Sequence, residues 1–134
     1  MDIDRAIRVA QTLLPGEGGI TEESDPRWQA LLAIAESVAE EPEAVWEFVG
    51  RWGAHHNETL RHAVAVLLLQ QLLALHFDPY FKHVVRIVRE SKPFADTFAR
   101  CAKFGQSEAP GNSEAWDELM MFARNYCRTV RGTL

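Results

Sequence analysis

The chain has 134 residues, enough for one domain with a real hydrophobic core and too few for two comfortable ones. At 47% hydrophobic and 25% charged residues, with a formal net charge of −5, it is too apolar for a disordered chain and too charged for a membrane bundle. Cys101 and Cys127 form neither a disulfide framework nor a zinc pattern. Met1-Asp2-Ile3-Asp4-Arg5 lacks the basic start and apolar run of a signal peptide, so a cytoplasmic protein is expected.

Every periodic segment reads as helix. Ile3, Ala6, Ile7, Ala10, Leu13 and Leu14 follow i, i+3, i+4, i+7 spacing, and Pro15-Gly16 should end that helix. Gly18-Gly19 marks a loop. Asp25 is suited to cap a second helix, because Pro26 at its first position has no N–H to leave unsatisfied. Trp28, Leu31, Leu32, Ala35, Val38 and Ala39 then share one face. Glu40-Glu41-Pro42 restarts the chain as a third helix with the stripe Ala44, Val45, Phe48, Val49 and Trp52, ending near Gly53.

Asn57 is placed to cap the fourth helix. From Ala63 to Leu75 only Gln70 and Gln71 interrupt the apolar run, which is too short to cross a bilayer and so reads as a central buried helix. Asp78-Pro79 repeats the cap-then-proline pattern for a fifth helix with Tyr80, Phe81, Val84, Val85, Ile87 and Val88 inward. Pro93 opens a short sixth helix with Phe94, Phe98 and Cys101 in line, followed by a loop from Gly105 to Asn112. Ser113 is the expected cap of the last helix. Its first turn carries Glu114, Asp117 and Glu118, and its far end Arg128 and Arg131, as the helix dipole favours. Nothing alternates with period two. The expectation is an all-α protein, residues 1–134 as one domain, with six to seven helices stacked as antiparallel hairpins or, alternatively, closed into a compact orthogonal bundle.

One segment favours the stack. Leu60-Arg61-His62-Ala63-Val64-Ala65-Val66-Leu67-Leu68, after the polar turn Asn57-Glu58-Thr59, resembles the second helix of a HEAT repeat. Pro42-Glu43-Ala44-Val45-Trp46-Glu47-Phe48-Val49 resembles the matching first helix. A fainter copy begins at Asp25, with Gln29 in place of the arginine, and the resemblance covers about residues 25–104. It implies an α-solenoid with a broad protein-binding surface. The DNA-alkylation-repair glycosylases share such repeats, but this chain looks too short and too acidic for them and no residue matches their catalytic acid.

Reactive constellations are not found. The five histidines, His55, His56, His62, His76 and His83, include no H-x-x-x-H pair. His62 and His76 would lie about 21 Å apart along one helix, too far to share an ion. Both cysteines fall in apolar stripes, where thiols are usually inert. No nucleophile elbow, phosphate loop or dinucleotide fingerprint occurs. No metal, cofactor or catalytic residue is expected, and the protein leans non-enzymatic.

Charge is unevenly spread. Residues 1–60 hold four Lys/Arg against twelve Asp/Glu, whereas residues 61–134 hold ten against seven. That asymmetry bears on partners rather than on fold. Trp46 lies about 120° off the core stripe of its helix, on the side of Gly50 and Gly53 and flanked by Glu43. It is either a packing contact for another helix or an exposed aromatic anchor. On the second reading, Trp46 with Glu36, Glu40, Glu43 and Glu47 would receive a basic protein partner, as an inhibitor or immunity-type protein does. The alternative is a phosphate or nucleic-acid ridge of Lys82, Arg86 and Arg89, with Lys92, Arg100 and Lys103 nearby; the net acidity disfavours it. Self-association through Met121 and Trp46 stays open.

Overall fold

A computed structural model describes the backbone of residues 2–132 and the side chains of residues 2–128. Its regular elements are all helical, with no strand among the described residues. The helices are α1 (Ile3–Leu13), α2 (Pro26–Ala35), α3 (Pro42–Trp52), α4 (Glu58–Val64), α5 (Gln70–Leu75), α6 (Phe77–Glu90), α7 (Lys92–Ala99) and α8 (Asn112–Gly132). A π-helical turn (Ala65–Leu69) joins α4 to α5, so these two form one rod, and a 3₁₀ turn (Gly105–Glu108) precedes α8.

Local chemistry explains most boundaries. Asp2, Asp25, Asn57 and Ser91 each accept a backbone N–H of the first turn they cap. Other boundaries shift. Helix α2 stops at Ala35 rather than at Ala39, and Pro42 then holds Glu41, the residue before it, out of helical space (φ −129°, ψ 55°). The chain between them turns tightly, with Ser37 N–H on Ile34 O and Val38 N–H on Ala35 O. Asp78 is not a cap: α6 begins at Phe77, whose N–H is taken by Gln106 Oε1 at 2.9 Å. Ser113 is not one either; α8 starts at Asn112, and the Ser113 hydroxyl accepts from Lys103 Nζ. Val130 and Arg131 lie outside the described side chains.

The rod is the centre of the core. Leu60, Ala63, Val64, Ala65, Leu68, Leu69, Leu72 and Leu73 are all fully buried. The π-helical turn adds one residue within this run, so that Gln70 N–H reaches back to Ala65 O. Packing follows chain order: α1 lies on α2, α2 and α3 on the rod, the rod on α6 and α7, and α8 on α6, α7 and the 3₁₀ turn. Rings seal the second half, with Phe81 on Phe98 and Phe98 on Trp116. No described helix is long and apolar enough to cross a membrane.

Candidate interaction faces

The largest polar cluster sits where α3 turns into α4. Arg61 Nη2 meets Asp96 Oδ2 at 2.9 Å, while its Nη1 donates to the carbonyls of His55 and His56, each at 3.0 Å. Arg100 bonds the same Asp96 oxygen at 2.9 Å and Glu58 at 2.6 Å. Burial alone would raise the Asp96 pKa, but its hydrogen bonds to Arg61 and Arg100 outweigh this and hold it below the usual carboxylate range. An ionised carboxylate held between two guanidiniums is a poor base. The cluster ties α7 to the rod, and its charges are spent on one another.

Histidines and cysteines are dispersed. His55 and His56 stack at 4.2 Å, His76 Nε2 lies 3.1 Å from Val38 O, and His83 rests against Trp46. Among the described residues no three His, Cys, Asp or Glu side chains converge as a metal site would require. Cys101 is buried, its thiol directed at Ala65 O and Thr97 O, and burial pushes its pKa far up. It is a packing residue with an inert thiol.

The acidic set proposed from sequence divides in two. Glu43 and Glu47 stand exposed on the outer face of α3, with Trp46 beside them. Glu36 and Glu40 are exposed in the turn after α2, and Glu36 shares a shallow groove with Leu32 on the outer face of α2. Trp46 is half-buried. Its ring lies 5.8 Å from Tyr80, 6.2 Å from His83 and 6.3 Å from Phe94, which joins α3 to α6 and α7. Packing therefore holds most of that ring. Glu43 is near enough to Tyr80 to add to the rise in phenol pKa that burial causes.

Gly50, one turn beyond Trp46, is unusual. A methyl group built there would meet nothing within 4 Å. At Gly53, by contrast, it would strike Val49 O at 2.6 Å, so only the second glycine is needed for packing.

All three members of the basic ridge, Lys82, Arg86 and Arg89, are exposed. Arg89 lies over the Phe122 ring at 4.7 Å, and Lys92 over Tyr126 at 5.4 Å, so both brace α8. Lys103 pairs with Asp117, leaving Lys82 and Arg86 exposed and without an ion pair among the described residues. No family model, curated protein or solved structure matches this chain.

Proposed function

We propose that the chain is a non-enzymatic, cytoplasmic protein-interaction module, a HEAT-like stack that receives a basic protein partner on the outer face of α3. The observation that carries the reading is Gly50. A glycine inside a helix costs about 1 kcal/mol relative to alanine, and here no neighbour needs the space. A local rule broken without compensation in the fold points to something outside it. Glu43 and Glu47, exposed on the same face and unpaired among the described residues, set the sign of the partner. The order of helix packing, each pair on the next, is the arrangement a repeat stack would have. The partner class includes a basic enzyme held inactive, as by an immunity-type protein.

The test is affinity capture from the native host at low salt with wild type, Gly50→Ala and Glu43→Lys/Glu47→Lys. A basic protein should be recovered by wild type and lost with the charge-reversed variant. Gly50→Ala should melt about 3–5 °C higher than wild type yet recover less partner. Recovery of no protein, or recovery indifferent to all three changes, would overturn the reading.

A further inference from the structure

The first helix pair leaves its outer side open. Between α1 and α2 runs a groove of about 310 Å³ lined mainly by Val9, Leu13, Pro26, Ala30 and Ala33. Val9 is 39% exposed, and Leu32, on the crest of α2, is 37% exposed. Helix α1 packs chiefly on α2, and α2 on the rod. Arg27 donates to the carbonyls of Pro15, Gly18 and Gly19, bringing the end of α1 to the start of α2. The two helices thus run antiparallel, and the N-terminal end of α1 lies beside the C-terminal end of α2.

At that end α1 exposes Asp4, Arg5 and Arg8, of which Arg5 lies nearest the Val9 side, and the chain after α2 exposes Glu36 and Glu40, of which Glu36 lies on the Leu32 side. Arg5 stands one turn before Val9 and Glu36 one turn after Leu32; neither has an ion pair among the described residues. The two charges are opposite, and the groove between them is apolar. A two-fold axis along the groove sets α1 of one copy over α2 of the other. It brings Arg5 of each copy to Glu36 of its mate and buries both grooves against each other.

We propose that this face is a self-complementary homodimer interface: Val9, Leu32 and the groove form its apolar centre, and two Arg5–Glu36 pairs its rim at one end. Both pairs fall at the same end of the contact, so the apolar grooves are edged by charge on that side, where the rim of such contacts is usually polar. The groove does not include Glu43, Glu47 or Gly50, although the opposite flank of α1, through Ile7 and Gln11, borders α3 at Glu47. With a net charge of −5 on each copy, association should be read at about 0.15 M salt, where long-range repulsion is screened.

Sedimentation equilibrium from about 5 to 500 µM tests it, a range chosen for a contact of modest size. Wild type should rise from 15.2 kDa toward twice that mass. Leu32→Glu, at an exposed position, should stay monomeric with an unchanged far-ultraviolet spectrum. Arg5→Glu and Glu36→Arg should each weaken association about fivefold to tenfold, and the two together should restore it. Both are surface changes that leave the fold intact. A wild type monomeric throughout, a dimer indifferent to Leu32→Glu, or a charge-swapped pair that fails to recover would each overturn the proposal.

Discussion

His55 shows how one side chain sets a pH dependence. Its Nδ1 accepts the Asn57 N–H at 3.1 Å, and its ring packs 5.6 Å from Trp52 and 4.2 Å from His56. Burial, then the charges of His56 and Arg61, hold its pKa below the ordinary histidine value. Protonation would remove the acceptor and add a cation beside Arg61. Because the folded pKa is lowered, the unfolded chain takes up the proton first. The stability from neutral His55 is therefore complete above the unfolded pKa of about 6.5 and is lost as pH falls from there through the lowered folded pKa. Melting temperature should fall from about pH 7.5 to 5.5, and His55→Asn, which keeps an acceptor without titrating, should flatten that slope. Parallel slopes would remove His55 as the cause. The Asp96 contribution occupies a lower window: its pKa is depressed, so it is present above about pH 4 and lost below.

Among the elements, the connection from α1 to α2 depends most on a single residue. Residues 14–25 form no helix or strand, yet Leu14 and Ile20 are buried. Arg27, itself only 8% exposed, gives five hydrogen bonds from its side chain: two to Asp25 and three to the carbonyls of Pro15, Gly18 and Gly19. Asp25 in return is held below the usual carboxylate range by that side-chain hydrogen bond. Gly16 has φ +65°, and a methyl group there would come within 3.0 Å of the Arg27 stem, so loop and arginine are fitted to each other. The Ile20 N–H on Thr59 Oγ1 at 2.7 Å then fastens the loop to α4. Arg27→Met keeps the stem but strands the carbonyls and the carboxylate, and should cost about 2–4 kcal/mol in urea unfolding. A loss under about 0.5 kcal/mol would mean that water replaces the guanidinium without penalty.

At the scale of the whole molecule, what the sequence could disclose was what lies close along it. Asp25, Asn57 and the buried run as far as Ala74 are legible because caps and hydrophobic period act within a few residues, whereas Leu75, expected to be buried with it, is exposed. The Arg61–Asp96 pair, 35 residues apart, and the Gln106 side chain that starts α6 are not legible, since a long-range polar partner leaves no local pattern. The helical period sets Trp46 off the core stripe, but only the fold reveals that Tyr80, His83 and Phe94 pack against its ring.

Whether the helices behave as a stack or as a closed bundle is a question of cooperativity, and the packing order makes it measurable. In a stack each unit is held by its neighbours alone, so an end pair can open while the rest stays folded. Here α1 touches the rest chiefly through α2, whereas the rod is packed by α2, α3, α6 and α7. Leu72 and Leu73 amides should therefore exchange only through global unfolding, at about 5–15 kcal/mol. Amides of Ala6 and Ala10 should exchange through a smaller opening, at least about 2 kcal/mol lower. Native-state hydrogen exchange across a urea series checks this, run dilute enough that the α1–α2 face is uncovered. Exchange energies for α1 and the rod that coincide in the absence of urea would mean one cooperative body, and the stack would give way to the bundle.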